Sequence, residues 1–399
     1  MRVLMVAPTS FFSDYGGHIR ILEEMRALGE LGVEVAVVTY YMGKDVPGID
    51  IRRTAPLPWH TDYEVGSSRH KIAFDAYLAV KTAKEVLRFQ PDVIHGHMHE
   101  GALIGGVMAR VTGKPLVFDF QGSLTAEMVD HHFLNPGGRI YPWVYRLEKA
   151  ITRYLPQAIL ASSTQAIDLL RDQFKVAPER LHALPDCADA EHFHRARFPY
   201  PPADHPLRER LNISPNTTLI GYLGLLTDYQ GIPHLIESAV ELQRRGEDVH
   251  FLIMGYPNVD RYQTIARLRG VDNIVNFTGR IPFAQAPYFL SACDVAVAPK
   301  LSTSEGSGKL LNYMAMELPI VVYDTVVNRE YLDDLGVYSP PGDVGGLIEG
   351  LATLVNSPQL RMDLGQQLRQ RVLAKYSWHA AAERILKIYE SIDKNYHSL

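Results

Sequence analysis

Cysteine is almost missing. The 399 residues carry only Cys187 and Cys293, too few for a disulfide framework and in keeping with a reducing compartment. Long apolar runs are missing as well. None reaches the ~18–20 residues that a membrane span requires, and Pro8 ends the apolar start too early for a signal peptide. The chain is therefore expected in the cytoplasm, with a surface helix as its one route to a membrane. Neither sign of charge dominates. Lys and Arg number 40 and Asp and Glu 45, a net −5, which excludes a surface built to coat nucleic acid. Glycine (30) and proline (25) follow no period, which excludes collagen-like and low-complexity chains. With 46% hydrophobic and 21% charged residues the composition is that of a globular protein. Single domains usually stop growing near ~150–250 residues, so the length predicts two.

Each half opens in the same way. Val3 to Ala7 is an apolar run without polar alternation, the pattern of a strand buried on both faces of a parallel sheet. The loop Ser13-Asp14-Tyr15-Gly16-Gly17 follows, then helical spacing from Ile19 to Leu31, then a strand from Val33 to Val38. In the second half the strand Thr218 to Gly224 leads through a loop to a helix at Ile232–Arg244 and a strand at Val249–Met254. These are βαβ units. Further strands are read at Asp92 to His95, Pro115 to Phe120, Ala158 to Ala161, Val295 to Ala298 and Ile320 to Val322. The proline-rich Phe198-Pro199-Tyr200-Pro201-Pro202 separates the halves. The expectation is an α/β protein with two doubly wound, Rossmann-like parallel sheets facing a cleft. Residues 1–200 form an N-terminal domain and 201–378 a C-terminal one. A final helix over 379–399 packs back on the first. Ligands bind beyond the carboxyl ends of such strands, so the chemistry is sought in the loops after Ala7, Phe120, Gly224 and Pro299.

The densest motif is Ser304-Glu305-Gly306-Ser307-Gly308-Lys309-Leu310-Leu311-Asn312, between a strand and a helix. Glycines allow close backbone approach, and free N–H groups at a helix start bind anions. Glu305 stands ahead of that positive end and Lys309 inside its first turn, an arrangement able to hold a diphosphate and an attached sugar. The same residues also read as a plain Ser/Gly loop with an acid at a favourable helix end. A P-loop spacing is absent. Gly16-Gly17 opens the first helix, without a G-x-G-x-x-G fingerprint or an acid after the second strand, which disfavours a dehydrogenase. Asp119-Phe120-Gln121-Gly122 and Glu127 follow another strand and could orient hydroxyls; loop polarity explains them equally well. His95, His97 and His99 alternate, but the strand is expected to end near His95 and no partner motif completes a set, so no metal is expected. Basic and aromatic residues mix over Arg139 to Tyr154 and Ser68 to Phe89. Such helices can touch anionic lipid headgroups, and more often they are solvated faces.

These motifs together resemble the retaining glycosyltransferases of the GT-B fold, family 4. The Gly16-Gly17 loop is similar to that family's N-terminal glycine loop, and Leu184 to Phe193 to its I-P-N-G-V-D-x-x-x-F segment. Gly221 to Ile232 is similar to its V-G-R-L-x-x-x-K-G-I, Glu305 to Pro319 to its E-G-x-G…E-A-M-A-x-G-x-P, and Tyr376-Ser377-Trp378 to its F-S-W. The resemblance implies a nucleotide-diphosphate sugar as co-substrate, no cofactor and no required metal. It implies a glycan, lipid-linked or small-molecule acceptor, and catalytic side chains at Glu305 and Gln121. It places the donor against Gly16, Gly17, Gln230, Lys300, Gly306, Ser307, Gly308, Lys309, Leu310 and Asn312, and the acceptor beside Asp119, Gly122 and Glu127. The sequence departs from the family at several of these positions. The Arg and Lys of the V-G-R-L-x-x-x-K-G loop are replaced by Leu225 or Leu226 and Gln230. Lys300 and Lys309 are the nearby replacements. Asn312 stands in for the family's second glutamate, Glu317 for a glycine, and Gln121 for the histidine of T-x-H-G; glutamine can position a hydroxyl but cannot take a proton. A nucleotide-sugar isomerase or a non-catalytic subunit on the same fold are the rival readings.

Overall fold

A computed structural model describes residues 1–13, 16–58, 71–130, 133–301 and 307–397. The chain divides into two compact units, Met1–Pro185 with Trp378–Leu399, and Asp186–Thr303 with Ser307–Ser377.

Unit 1 runs β1 (Arg2–Ala7), α1 (Gly16–Glu30), β2 (Glu34–Thr39), β3 (Asp50–Arg53), α2 (Lys71–Phe89), β4 (Val93–His97) and α3 (Met98–Thr112). It continues with β5 (Leu116–Phe120), α4 (Leu124–Asp130), α5 (Tyr141–Tyr154), β6 (Ala158–Ala161), α6 (Thr164–Asp168) and β7 (Leu181–Ala183). The sheet is parallel, in the order β3-β2-β1-β4-β5-β6-β7. Its central strand β1 is apolar because helices cover both faces, and Val3 to Ala7 are fully buried, while the edge strand β3 (Asp50–Arg53) is polar and only partly buried. Strand order reverses between β1 and β4, so the loops at their carboxyl ends flank a topological switch point.

Unit 2 runs α7 (Pro206–Arg210), β8 (Thr218–Leu223), α8 (Ile232–Arg244), β9 (Val249–Met254), α9 (Val259–Leu268), β10 (Val275–Gly279) and α10 (Ala286–Ser291). Then follow β11 (Val295–Ala298), α11 (Gly308–Ala315), β12 (Ile320–Tyr323), α12 (Val326–Leu332), β13 (Val337–Ser339), α13 (Val344–Val355) and α14 (Pro358–Lys375). Its parallel sheet is ordered β10-β9-β8-β11-β12-β13, with the reversal between β8 and β11. The loops after Leu223 and after Ala298 lie on either side of that switch.

The change of unit comes at Asp186, ahead of the proline-rich segment. Ala188 bridges Ser377, and Ala188 and Phe193 enter the apolar core formed by Leu207, Leu219, Leu290 and Met316. The buried Arg195 donates to the carbonyl of Cys293 at 3.1 Å. Residues 186–200 are thus packed into unit 2, and the prolines sit within that unit rather than between two. The last helix, α15 (Trp378–His397), packs on α1 in unit 1. No helix among the described residues is long and apolar enough to cross a membrane.

Candidate functional site

In unit 2 the site is built where α11 meets the end of β8. Lys309 and Tyr313 are one turn apart on α11 and so share a face. Leu223 N–H donates to the Tyr313 hydroxyl at 2.7 Å, which ties the helix to the strand end. Lys309 Nζ donates to Gln230 Oε1 at 2.8 Å and to the Tyr222 hydroxyl at 3.2 Å, and lies 4.5 Å from the centroid of the Tyr222 ring. Burial raises the Tyr222 pKa well above the ordinary phenol value, so its hydroxyl stays protonated and donates to Leu225 O at 2.8 Å. Gly224 allows this approach. Its φ is +154°, and a Cβ there would come within 2.7 Å of Lys309 Nζ. The ammonium therefore occupies the neighbourhood of the loop whose basic residues are replaced in this sequence. The two residues nominated from separate motifs, Gln230 and Lys309, are in direct contact.

Ser307 precedes α11 and makes no side-chain cap bond to it. Gly308 and Asn312 are half-buried, and Leu310 is fully buried in the core, so Leu310 can offer only its backbone. Lys300 is buried just after β11. Glu305 and Gly306 lie outside the described residues.

In unit 1 the centre is Asp119, at the end of β5 and fully buried. Arg20, from α1, binds both of its oxygens, Nε to Oδ2 at 3.0 Å and Nη2 to Oδ1 at 2.8 Å. Oδ2 also lies 3.0 Å from His97 Nδ1 and accepts from Gln121 Nε2 at 2.7 Å. Arg20 pairs as well with Glu24 Oε1 at 3.1 Å and donates to Leu184 O. Burial alone would raise the Asp119 pKa. The Arg20 guanidinium and His97 overcome that and hold the carboxyl far below the ordinary range. Gln121 follows the strand, half-buried, beside Gly17 at the start of α1. Gly16 is exposed and Gly122 half-buried. Glu127 is exposed on α4, where its charge acts on Lys71, and it is not among the groups bonded to Asp119.

The histidine reading changes in one respect. β4 continues to His97, so His95 and His97 share a face with their rings stacked 4.5 Å apart. Partners exist too. Glu24, His95, His97 and Asp119 offer ligand atoms within 4.8 Å of one another. Proximity in the fold supplies what spacing along the chain did not. The carboxylates already have a resident cation in Arg20, however, and Asp119 Oδ2 is fully engaged, so we read the cluster as an ion-pair network. Burial, with His97 adding to it, pushes the His95 pKa well below its usual value, and His95 Nδ1 lies 2.6 Å from the Tyr389 hydroxyl of α15. His99 stands apart, 3.4 Å from the buried Glu148 of α5. Glu148 accepts from Leu124 N at 2.8 Å and Thr125 N at 3.2 Å, which fixes the start of α4. Arg20, Glu24 and Glu148 escape a sequence reading because each sits on an otherwise ordinary helix. Their partners are distant in sequence.

The comparisons agree with this architecture. Residues 16–187 match the family described as glycosyl transferase 4-like domain, and residues 204–371 the family described as glycosyl transferases group 1. The alpha-D-kanosaminyltransferase of Streptomyces kanamyceticus is 26% identical, covering 72% of this chain and 73% of the relative. The solved sucrose-phosphate synthase of Thermosynechococcus elongatus superposes with a TM-score of 0.82 at 16% identity, over 98% of both chains. Anabaena HepE in complex with UDP-glucose gives 0.76 at 15% identity, over 98% of this chain and 100% of that one.

Proposed function

The chain belongs to the glycosyltransferases whose two halves the 4-like and group 1 families describe, and from that premise we propose that it transfers sugar with retention at the anomeric carbon. The donor is a nucleotide-diphosphate sugar held mainly by unit 2. The acceptor hydroxyl is presented mainly by unit 1. The observation that carries this reading is Lys309, fixed by Gln230 and Tyr222 at the carboxyl end of β8. A nucleotide sugar losing its diphosphate needs positive charge at that leaving group. Lys309 and the first N–H groups of α11 supply it without reorganising. Lys300, buried nearby in sequence at the end of β11, adds a second cation to the same loops.

On this reading the bond from the anomeric carbon to the diphosphate oxygen breaks. A bond to the acceptor oxygen forms on the same face. The acceptor's proton passes to the departing phosphate oxygen, so no protein nucleophile and no metal are required. Glu305 aligns donor-sugar hydroxyls, and the backbone from Gly306 through Leu310 holds sugar and diphosphate. Asn312 takes ribose hydroxyls. Gly16 and Gly17, which open α1, are further donor contacts on this reading. Gln121 positions a hydroxyl, itself held by the buried Asp119, with Gly122 and Glu127 on the acceptor side. A nucleotide-sugar ligand in a structural neighbour, UDP-glucose, supports this donor class.

Lys309→Ala tests the reading. A hydrogen bond to a charged group contributes ~1.5–3 kcal/mol, so the affinity for a nucleoside diphosphate should fall ~10–150-fold. Calorimetry with UDP, ADP, GDP and dTDP measures this for whichever the parent binds most tightly. Unchanged affinity would remove Lys309 from the donor site.

We also propose that the protein works in the cytoplasm and meets anionic membrane surface through α5. That helix exposes Trp143 (70%), Tyr154 (61%) and Leu147 (52%), with Arg146 stacked 5.6 Å from the Trp143 ring. Aromatic and basic residues together suit a headgroup layer, at ~1 kcal/mol per Lys or Arg near an anionic surface. A lipid-linked acceptor is the class this contact favours. Sedimentation with phosphatidylglycerol vesicles should recover the protein, and pure phosphatidylcholine should not. Arg146→Glu should weaken recovery several-fold while nucleotide affinity holds. Equal recovery on both vesicle types would contradict the contact.

A further inference from the structure

Gln121 ends the buried network of unit 1, and the network dictates how its amide faces. Asp119 is hydrogen-bonded through Oδ2 to Gln121 Nε2 at 2.7 Å. An ionised carboxylate only accepts, so the amide must present its NH2 to Asp119 and turn its carbonyl away. Among the described residues no donor reaches that oxygen, Oε1. It faces Gly17, where a Cβ would lie 3.3 Å from it. Gly17 and Gln121 are both half-buried, Gly17 in the first turn of α1 and Gln121 just after β5.

We infer that Asp119 is a positioning residue. By taking the Gln121 amide hydrogen it fixes Oε1 as the atom shown to substrate, so the sugar group that binds there must be a hydroxyl donating its proton. This rests on the proposed reading of Gln121 as a substrate contact, and it adds what that contact selects. A hydroxyl is accepted. An ether oxygen, a fluorine or an anionic group at the same position meets a lone pair and is refused. The arrangement needs Asp119 ionised. The charged and titratable groups packed around it are Arg20 and Glu24 of α1, His95 and His97 of β4, and Tyr389 of α15. Of these, Arg20 is the neutralising partner, bonded to both oxygens.

Gln121→Glu tests the inference, because glutamate has the same shape and its bond to Asp119 requires a proton. Two carboxylates this close cannot both ionise, so the new carboxyl's pKa rises above its ordinary ~4.3. When protonated it donates to Asp119 and shows a carbonyl outward, as glutamine does. When ionised it repels Asp119. A group whose folded pKa is raised contributes stability fully below its unfolded pKa, and that contribution is lost as pH rises through the folded value. The variant's thermal midpoint should therefore match the parent below about pH 4 and fall away toward about pH 8. Turnover relative to the parent should fall ~tenfold or more over the same window. Gln121→Met, with no N–H, should be slow at every pH and show no widening gap in midpoint. A glutamate variant whose midpoint tracks the parent at all pH values overturns the inference, as does one with equal turnover throughout. The midpoint series uses no substrate. A parent that releases no nucleotide from any sugar would therefore count against the transfer reading, while the widening gap would still establish the orientation.

Discussion

Arg20→Met is expected to destabilise unit 1 by about 3–5 kcal/mol, the usual consequence of stranding buried carboxylates. Arg20 binds both oxygens of Asp119 and pairs with Glu24, and both carboxylates are fully buried. Methionine fills similar volume and leaves both without their cation. For a unit of this size each kcal/mol moves the unfolding midpoint by ~2–4 °C, so a fall of roughly 6–20 °C is expected by calorimetry. The loss depends on pH. In the parent, Asp119 has a depressed folded pKa, so its contribution is present above the unfolded value of ~3.9 and lost as pH falls through the folded one. In the variant the stranded carboxyls have raised folded pKa values and favour the folded state only at lower pH. The gap between parent and variant should widen from about pH 4 to about pH 7. Arg20→Lys, which keeps the charge and loses the two-pronged geometry, should recover part of it. A variant as stable as the parent at neutral pH would mean that the network contributes nothing to the fold.

Glu305→Gln is expected to lower turnover ~10²–10³-fold, the loss typical of removing one preorganised group from a developing charge. The amide keeps the shape of the carboxylate and can still meet a hydroxyl. It cannot balance the positive character that grows on the sugar as the diphosphate leaves, so kcat should fall more than KM rises. Thermal stability should stay within ~0.5 kcal/mol of the parent, the usual range for a substitution that acts on turnover alone. Parental turnover in this variant would take the site away from the Ser304 to Asn312 segment altogether.

Much of the fold is legible because a parallel sheet covered on both faces writes unbroken apolar runs. The helix at Ile232–Arg244 and the strand at Val249–Met254 are read to the residue. The strand end at His95 is missed because His97 is polar yet buried, its ring packed on His95 and bonded to Asp119. The proline-rich segment misleads for a related reason. Proline marks irregular backbone, and here that backbone is held inside unit 2 by Phe193 and Arg195 rather than strung between domains. α14 shows the opposite limit. Only Gly365, Leu368 and Val372 of its 18 residues are buried, too sparse a stripe to stand out in sequence. At the candidate site, spacing nominates Lys309 and Gln230 separately, and only folding shows that the two, 79 positions apart, touch. Arg20 carries no signal at all. It lies between Ile19 and Ile21 on a helix and reads as a surface charge, and its partner Asp119 is 99 residues away.

The central claim is that unit 2 holds a nucleotide-diphosphate sugar and that the sugar leaves with its anomeric configuration kept. The most direct measurement incubates the protein with UDP-, ADP-, GDP- and dTDP-linked sugars and cell extract. It records nucleoside diphosphate release and assigns the product's anomeric configuration by NMR. The account predicts release from one donor class, an α-linked product from an α-linked donor, and loss of that release in Lys309→Ala. A β-linked product from the same donor would contradict it, as would release that is indifferent to Lys309.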